Sequence, residues 1–427
     1  MKIGMQTWGS HGDIRPFLAL AEGLQAAGHE VTLLMTCFDS AIYSTVTSIN
    51  GVNIKLIASP VISVEEAEKI SRLVYGIRDP MKQVATILQR GFEPVEDQMF
   101  AAAQQLSKDN DLLIAHYFMH PLQIAAEKEQ KPYISVVLAN IVVPSVYSNP
   151  LGFNGLGQWG HRLIWWITRF SINRVLLHYP NRLRKQLCMP PTRDILTQVW
   201  MSPHLTLLAV SPQFCQRQPD WPASVQVCGF LDTPDLSNLT IEGVIPPSLK
   251  AFLDAGEPPV YMTFGSWMPH DIASQTTTLR LLTDAAKRAG CRAIIQSPSW
   301  QDCGFASDDQ VFYLSAAPHY AIFPHCHAIV HHGGAGTTQS TTRSGKPSIV
   351  VAHLSEQEHW GRELRRMGVA GKFLRRRSLS SSQLARQIKY VLNTPGLSVK
   401  ANTIADAMRM ENGVNEAVKL IQQKFVV

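Results

Sequence analysis

The sequence has no apolar run long enough to cross a membrane, since a spanning helix needs roughly 18 to 20 consecutive apolar residues. The best candidate, residues 134–146, is interrupted by Asn140 and Pro144. The start has the pattern of a strand and lacks the basic, apolar and small-residue regions of a secretory leader. The seven cysteines form no CxxC pair. This scattered spacing favours reduced thiols, and with them a cytoplasmic protein.

Charge is also sparse and nearly balanced. The 427 residues include 39 lysines and arginines against 33 aspartates and glutamates, a net charge of +6. So modest an excess does not call for a nucleic-acid partner. What the chain does have is apolar surface, with 45% hydrophobic residues. Its length therefore predicts roughly two or three domains, each with its own core.

The first forty residues have the pattern of a βαβ unit. Residues 2–8 form a strand pattern, and a turn of small and polar residues follows at 9–13. A helix is predicted next, with Pro16 in its first turn, apolar residues at helical spacing from Phe17 to Leu24, and Gly28 at its end, before a second strand at 31–35. This succession predicts an α/β fold with a doubly wound parallel sheet and a ligand at the carboxyl ends of its strands.

The rest of the chain divides into two series of strands and helices. The first series continues with strands at 112–115, 133–138 and 206–210. The second has strands at 260–264, 293–296, 311–314, 328–331 and 348–351. Between them, residues 232–247 are polar and proline-rich, as in a linker. We therefore expect an N-terminal domain at 1–231, a C-terminal domain at 248–408, and a ligand cleft between them.

The most informative segment is the glycine-rich loop at 331–338, which joins an apolar strand to a helix. Gly334, Ala335 and Gly336 let a ligand approach the backbone where the first N–H groups of the helix point outward, an arrangement suited to a diphosphate. His332 and the Thr337 hydroxyl are further candidate donors. The alternative is that the glycines serve tight packing alone. The spacing matches neither a Walker loop nor the dinucleotide GxGxxG pattern.

A second glycine turn, at Gly265 and Ser266, ends the first strand of the second series. Topology predicts that it lies beside the loop at 331–338, where Ser266 could donate to the same phosphates. The alternative is a simple strand exit.

Two motif regions, one at the start of the chain and one in its second half, resemble in this order the family 1 glycosyltransferases. The opening at 9–33 is similar to the start of that family, and residues 317–338, 345–347, 356–357 and 360–362 are similar to its donor-binding signature. Within the family, the chain resembles the branch of sterol 3-β-glucosyltransferases and bacterial antibiotic or glycolipid glycosyltransferases. The resemblance implies a GT-B fold of two Rossmann-like domains, with the acceptor on the first and the nucleotide sugar on the second. It also implies that a last helix, at about 409–427, packs back on the first domain.

The reaction implied is an inverting transfer of a sugar to an acceptor hydroxyl, with no cofactor and no metal. Such a displacement needs a base on the acceptor and stabilisation of the leaving diphosphate. Asp109-Asn110-Asp111 matches the sequence pattern of a metal-binding DxD motif. It precedes a strand instead of following one, which favours a turn.

The resemblance assigns the base to Asp13. After the strand at 112–115, His116 stands where plant members have an aspartate that orients their catalytic histidine. We therefore expect a dyad in which Asp13 and His116 share one proton. Two alternatives stay open: that His116 only lines the acceptor site, and that His11 is the partner. Ser10 and Gly12, on the same loop, are expected to contact the donor phosphates.

Two neighbouring residues are expected to hold the donor sugar. Glu356 and Gln357 stand where the family has an Asp-Gln pair that binds sugar hydroxyls. The acid is one methylene longer here, which leaves the identity of the sugar open.

The nucleotide is left open by two departures from the family pattern. Ala316 replaces the tryptophan that stacks on uracil in plant enzymes, and Ser340 replaces the acid that holds the ribose. The ribose 2′-hydroxyl is what separates UDP from dTDP. Ala317 and His319 are expected near the nucleotide.

The sequence gives the least information about the acceptor site. His11, Phe118, Tyr147 and Trp165 are candidate lining residues for a lipophilic acceptor. The basic and aromatic segment 159–175 is interpreted first as a helix packed on the core with a solvated basic face. The alternative is peripheral contact with a membrane surface.

The leading prediction is therefore transfer of glucose from UDP-glucose to a sterol, terpenoid or phenolic hydroxyl. The alternative within the same class is a dTDP-deoxysugar transferase, for example of rhamnose, acting on a polyketide or glycolipid. From another class comes a non-catalytic nucleotide-sugar-binding partner protein, against which the presence of Asp13 argues. A nicotinamide oxidoreductase is disfavoured by the missing GxGxxG pattern.

Overall fold

The computed structural model describes residues 1–38, 47–58, 63–153, 155–232, 245–316 and 318–425. The chain divides into two compact units. The first comprises Met1–Val61, Val84–Leu236 and Glu411–Val427, and the second comprises Ile62–Gln83 and Ser237–Met410. Each is built on a mostly parallel sheet flanked by helices, so the α/β class with two doubly wound domains expected from the sequence is confirmed. Most of the expected linker, at 233–244, lies outside the described residues.

The sheet of the first unit is parallel except at one edge. Its described strands are β1 (Lys2–Gly9), β2 (Glu30–Cys37), β3 (Ser48–Ile49), β4 (Val52–Leu56), β5 (Leu112–His116), β6 (Tyr133–Val137), β7 (Leu205–Leu208) and β8 (Val225–Val227). They lie in the order β3-β4-β2-β1-β5-β6-β7-β8, with β3 antiparallel to β4. Because β1 pairs in parallel with β5, the residues that follow these two strands emerge at the same edge of the sheet.

The sheet of the second unit is parallel throughout its described strands. These are β9 (Val260–Met262), β10 (Ala293–Gln296), β11 (Val311–Leu314), β12 (Ala328–His331), β13 (Ser348–Ala352) and β14 (Leu374–Arg375). They lie in the order β11-β10-β9-β12-β13-β14. The predicted neighbourhood of the first strand of this series and the strand at 328–331 is confirmed by the pairing of β9 with β12.

The helices cover the faces of these sheets. They are α1 (His11–Ala26), α2 (Val64–Gly76), α3 (Pro80–Gly91), α4 (Glu96–Asp109), α5 (His120–Lys128), α6 (Gly157–Leu176), α7 (His178–Gln186), α8 (Pro247–Asp254), α9 (Ile272–Ala289), α10 (His319–Ile322), α11 (Ala335–Arg343), α12 (Ser355–Arg366), α13 (Ser381–Leu392), α14 (Pro395–Arg409) and α15 (Gly413–Phe425). A π-helical turn, Leu196–Trp200, precedes β7.

Helix α1 begins earlier than the sequence predicted. Residues 9–13 were expected to form a turn and Pro16 to lie in the first helical turn, but the helix starts at His11, with Ser10 as its N-cap. The reason is local, because Asp13 binds back to Ser10 and satisfies an N–H group that would otherwise be unpaired. Pro16 therefore lies inside the helix, where it cannot donate to the carbonyl four residues earlier.

The last helix belongs to the first unit. Val414 and Ile421 of α15 are part of the same buried core as the apolar face of α1. The contact is close, since a Cβ atom on Gly23 of α1 would lie 2.3 Å from Cγ1 of Val414. The Ser211 hydroxyl, after β7, donates to Glu411 over 3.0 Å and so ties the approach to α15 to the same unit.

One segment is placed differently from the expected boundary at residue 231. Ile62–Gln83 groups with the second unit, although the residues on both sides of it belong to the first. Polar contacts hold it there. Oε2 of Glu68 accepts from the backbone N–H of His270 over 3.1 Å, and the Arg72 guanidinium donates to Glu68 and to the Ser274 hydroxyl.

Candidate active site

The loop between β1 and α1 holds the carboxyl group of Asp13 in a defined place. Oδ2 of Asp13 accepts hydrogen bonds from the backbone N–H of Ser10 over 2.8 Å and from its hydroxyl over 3.1 Å. Gly9 has a φ of +136°, and a Cβ atom there would lie 2.3 Å from the same oxygen. A side chain at position 9 would therefore displace the carboxylate.

The second oxygen of Asp13 faces His116. Oδ1 lies 3.8 Å from Nε2 of the histidine, which is longer than a hydrogen bond. The neighbourhood desolvates both groups. It raises the pKa of Asp13 to about 6, against the opposing effect of the Ser10 hydrogen bonds, and lowers the pKa of His116 to about 3. At neutral pH the pair is thus a carboxylate beside an uncharged imidazole.

The other candidate residues of this loop surround the same position. Burial, with the charge of Arg15, lowers the pKa of His11 to about 4, so His11 is also uncharged at neutral pH. The space around Gly12 is open, because the nearest atom to a Cβ built there is the Ser10 hydroxyl oxygen, 3.7 Å away. An open position beside a fixed hydroxyl is accessible to a ligand.

An aromatic wall extends from His116. The Phe118 ring is stacked on His116 with centroids 5.9 Å apart, and lies 5.2 Å from Trp200 and 6.4 Å from Trp8. Phe118 also lines a narrow cavity. The other lining residues of that cavity are Leu88, Phe92, His120, Leu176, Tyr179, Pro180, Ile195, Val199 and Trp200.

Trp165 lines a different cavity from the one that Phe118 lines. The cavity at Trp165 has a volume of about 250 Å³. It is lined by Pro144, Ser145, Val146, Arg162, Trp165, Trp166, Arg169, Leu196, Thr197 and Asp220. Nε1 of Trp165 donates to the Ser148 carbonyl over 2.8 Å, which fixes the indole in the wall. Tyr147 is half-exposed and does not line either cavity.

In the second unit, the glycine-rich loop joins β12 to α11 with the geometry of an anion site. Gly333 has a φ of +90°, and Gly334 is the N-cap of α11. Ala335, Gly336 and Thr337 follow as its first turn, partly exposed, with backbone N–H groups that have no carbonyl partner inside the helix. The helix dipole adds a partial positive charge at this end.

The imidazole of His332 lies between this loop and the turn after β9. A Cβ atom on Gly334 would lie 2.4 Å from Nε2 of His332, and one on Gly265 would lie 3.0 Å from its Cε1. Both glycines are therefore needed for the ring to fit. Burial lowers the pKa of His332 to about 4, which leaves it neutral. Ser266 is exposed at the same turn.

The candidate nucleotide residues lie on both sides of β12 in the sequence. His319 begins α10, is partly exposed, and stacks on Phe323 with centroids 4.3 Å apart. Ala316 is exposed, and Ser340 in α11 is partly exposed. Ala317 lies outside the described residues.

The Glu356-Gln357 pair forms the start of α12. Nε1 of Trp360 donates to Oε1 of Glu356 over 2.7 Å. Oε1 of Gln357 accepts from the backbone N–H groups of His353 over 2.7 Å and of Leu354 over 3.1 Å. These bonds orient both side chains, and they leave the Gln357 amide NH₂ without a hydrogen bond to any described residue.

Two residues that the sequence did not single out support this pair. Oε1 of Gln83 accepts from the backbone N–H of Ser355 over 3.2 Å and from its hydroxyl over 2.8 Å. His353 is buried against Phe264 and Trp267, with ring centroids 5.1 and 5.5 Å away. The position of His353, just after a parallel strand, is a usable sequence signal. Gln83 has no such sequence signal, because its partner Ser355 lies 272 positions further along the chain.

Neither carboxylate of the DxD-like sequence faces a candidate site residue. Asp109 accepts from Nε2 of Gln105 over 2.9 Å, and Asp111 accepts from the backbone N–H of Lys2 over 2.9 Å. Within the described ranges, we find no group of three or more His, Cys, Asp or Glu residues arranged to hold a metal ion. In the same part of the chain, every helix is too short or too polar to cross a bilayer.

Comparison with known proteins gives matches to both units. Residues 3–148 match the glycosyltransferase family 28 N-terminal domain, and residues 305–423 match the C-terminal domain of the erythromycin biosynthesis protein CIII-like family.

Two relatives align over nearly the whole chain. The O-mycaminosyltylonolide 6-deoxyallosyltransferase of Streptomyces fradiae is 27% identical over 99% of this chain and 97% of its own length. The sterol 3-beta-glucosyltransferase UGT80A2 of Arabidopsis thaliana is 28% identical over 98% of this chain. The chain spans 65% of the length of that sterol enzyme.

A solved structure has the same fold. The crystal structure of the glycosyltransferase VinC in complex with dTDP superposes with a TM-score of 0.63, covering 99% of both chains at 19% identity.

Proposed function

Because this chain belongs to the family 1 GT-B glycosyltransferases, enzymes that transfer a hexose, we propose that it moves a sugar from a nucleotide diphosphate to a hydroxyl of a lipophilic acceptor. UDP-glucose is the first choice of donor, and a sterol, terpenoid or phenolic is the first choice of acceptor. The seven cysteines, none of which is in a disulfide, suit a reducing compartment, and we place the reaction in the cytoplasm.

The observation that carries this proposal is the convergence of polar groups around the start of α11. The N–H groups of Ala335, Gly336 and Thr337 face solvent at the positive end of the helix dipole. His332 packs against this loop. We assign the diphosphate to these groups and the sugar hydroxyls to Glu356 and Gln357.

We assign proton removal to Asp13. A general base works best when its pKa lies near the working pH, so that it is ionised and still basic. A pKa of about 6 meets that condition far better than the ordinary value of 3.8. The neutral imidazole of His116 faces the same carboxylate, and we assign to it the orientation of Asp13.

We propose that the reaction needs no metal. In our assignment the charge that develops on the leaving diphosphate is met by the N–H groups of the α11 loop, by the Ser266 hydroxyl and by the His332 ring. Fixed dipoles of this kind stabilise developing charge without having to reorganise. Turnover should therefore survive EDTA, and added Mg²⁺ or Mn²⁺ should not raise it. Loss of turnover in EDTA that Mg²⁺ restores would contradict this part of the proposal.

The second candidate is a dTDP-deoxysugar transferase that acts on a polyketide or glycolipid. It is favoured by Ser340, a partly exposed hydroxyl in α11 that replaces the acid by which the family pattern holds the ribose. The ribose 2′-hydroxyl of UDP could donate a hydrogen bond to a carboxylate here only if that acid were present. The relative from Streptomyces fradiae, a 6-deoxyallosyltransferase, supports the same candidate.

The experiment is a transfer assay that combines UDP-glucose and dTDP-sugars with sterol, phenolic and polyketide acceptors, with product anomers assigned by NMR. An inverted anomeric configuration with UDP-glucose supports the first candidate, and turnover only with dTDP-sugars supports the second. Nucleotide binding with no transfer to any acceptor would point to a non-catalytic partner protein. Absence of binding to either nucleotide would refute the proposal.

A single substitution should distinguish UDP from dTDP as the nucleotide of the donor. Ser340→Glu should tighten UDP relative to dTDP by about ten-fold, since a hydrogen bond to a charged group contributes about 1.5 kcal/mol or more. Ser382→Glu adds the same charge to the exposed first turn of α13 and serves as the control, for which no change in the UDP to dTDP ratio is expected.

A further inference from the structure

Helix α6 presents large apolar side chains to solvent. Five of them are half or more exposed: Trp159 at 81%, Trp166 at 66%, Phe170 at 60%, Leu163 at 58% and Ile167 at 50%. At 3.6 residues per turn these positions fall within an arc of about 100°. They form one continuous strip along the helix, which we call the exposed strip of α6.

The other side of α6 already packs on the protein. His161, Trp165, Ile172 and Leu176 are buried and lie roughly opposite the exposed strip on the helical wheel. A surface helix ordinarily has one apolar face, and a second apolar face implies a second partner. The favoured interpretation from sequence is a helix packed on the core with a solvated basic face, and the outward face carries the exposed arginines together with this apolar strip.

The charges of α6 are of one sign. Its 20 residues include Arg162, Arg169 and Arg174 and no aspartate or glutamate. Arg162 lies over the Trp159 ring, 5.1 Å from its centroid, at the border of the exposed strip. Arg169 is held by Asp194, a buried carboxylate 2.7 Å away. Arg162 and Arg174 are exposed, and among the described residues neither forms an ion pair with a carboxylate.

The loop before α6 extends the apolar surface. Leu151, Phe153 and Leu156 are 46%, 55% and 45% exposed. Apolar and aromatic groups thus continue beyond the helix over a stretch of chain that carries no acidic residue between positions 147 and 176.

We propose that the exposed strip of α6 binds the surface of an anionic phospholipid bilayer. Tryptophan and phenylalanine bordered by arginine are the side chains that insert at the boundary of headgroups and acyl chains. Arginines near an anionic surface add electrostatic attraction. The helix lies in the plane of the interface and does not cross the bilayer.

A second copy of this chain fits the same surface less well. In a two-fold interface the strip of one copy faces the strip of the other. The arginines of both would then be brought together, and α6 has no carboxylate to neutralise them. An anionic lipid supplies the missing negative charge.

The test is flotation of the full-length protein with two sets of vesicles, one of phosphatidylcholine alone and one that also contains phosphatidylglycerol. We expect binding to the anionic vesicles that weakens as salt is raised, with a blue shift of tryptophan fluorescence. Trp159→Ser together with Phe170→Ser should reduce the vesicle partition coefficient by about ten-fold or more, a change of 1.4 kcal/mol or more. Arg162→Gln should reduce it about five-fold.

The matched control is Tyr390→Ser, which removes a 50% exposed aromatic residue from α13 and should leave flotation unchanged. Thermal unfolding of each variant checks that it is folded. Absence of flotation with either set of vesicles would overturn the proposal. So would binding that the Trp159 and Phe170 substitutions leave intact. A dimer in light scattering that these substitutions abolish would assign the strip to a second copy instead.

Discussion

Oδ1 of Asp13 lies 3.8 Å from Nε2 of His116, while Oδ2 of the same carboxylate is held by Ser10. Nδ1 of His116 accepts from the backbone N–H of Phe118 over 3.4 Å. The neutral ring therefore carries its proton on Nε2, the atom that faces Asp13. One oxygen caps a helix and the other faces a neutral N–H donor, so the carboxylate is fixed in place before any acceptor arrives.

Asp13→Asn should abolish most transfer while nucleotide binding is retained. A positioned general base contributes about 10²–10⁴-fold to a rate, and an amide of the same shape cannot take the proton. The measurement is kcat with the preferred acceptor, beside a binding titration with UDP and dTDP. Asp109→Asn, at the exposed C-terminal end of α4, is the control and should keep full turnover. Asp13→Asn turnover close to that of the control would remove Asp13 from the role of base.

The pH profile should report the raised pKa of Asp13. Below a pKa of about 6 the carboxyl is protonated and cannot act as a base. We therefore expect kcat/KM to fall about ten-fold for each pH unit below 6 and to be level above it. The profile is measured with an acceptor that does not ionise in this range. A profile level down to pH 4.5 would show that the essential base has an ordinary carboxyl pKa or is another group.

His116→Phe should move that profile to higher pH. Loss of the Nε2–H group removes a dipole that favours the charged form of Asp13, so the pKa of Asp13 should rise further. Activity at pH 6 then falls more than activity at pH 8. His116→Asn, which keeps a side-chain N–H donor, should give an intermediate profile. An equal loss at every pH in both variants would indicate a purely structural role for His116.

Gly336→Ala should weaken nucleotide binding without lowering the stability of the fold. A Cβ atom on Gly336 meets nothing within 4 Å in the protein, and alanine is favoured over glycine in a helix by about 0.5–1 kcal/mol. The same methyl group would occupy the space that we assign to the diphosphate. We expect thermal unfolding at an equal or higher temperature together with about ten-fold weaker UDP or dTDP binding, a cost of about 1.4 kcal/mol.

The control for that substitution is Gly396→Ala. Gly396 lies in the first turn of α14, and a Cβ atom there also meets nothing within 4 Å. Nucleotide affinity should be unchanged in this variant. Unchanged affinity in Gly336→Ala as well would place the diphosphate elsewhere.

Gln83→Ala should raise the KM for the nucleotide sugar. Two hydrogen bonds from Ser355 to the Gln83 amide hold the start of α12, next to Glu356 and Gln357. Each such bond contributes about 0.5–1.5 kcal/mol, so their loss should raise the donor KM about ten-fold, with a smaller effect on kcat and none on the acceptor KM. Gln105→Ala removes an exposed glutamine that binds Asp109 and serves as the control. An unchanged donor KM would show that the loop keeps its position without Gln83.

Much of the fold could be predicted from the sequence, because parallel strands that are buried on both faces have short, continuous apolar sequences. The strands at 293–296, 311–314 and 328–331 have the predicted bounds. The strands missed were the short β3, β8 and β14, which have two or three residues each, and β4, whose residues alternate between buried and exposed. Such segments carry too few apolar residues to stand out from loops.

The sequence by itself determined the family, the two α/β units and the position of the glycine-rich loop to which we assign the diphosphate. Each of these depends on local spacing: glycines after a strand, a polar residue before a helix, and apolar periodicity. Asp13 and His116 could be proposed as partners because parallel neighbouring strands end at the same edge of a sheet.

Only the tertiary structure decided which side chains support the site and which apolar groups stay in water. Gln83 reaches Ser355 across most of the chain, and a contact between such distant positions leaves no periodic pattern in a single sequence. In the same way, Trp165 and Trp166 are adjacent and chemically identical, yet one is 7% and the other 66% exposed. Side-chain burial depends on which face of a helix finds a packing partner, and that is decided when the elements of the unit pack together.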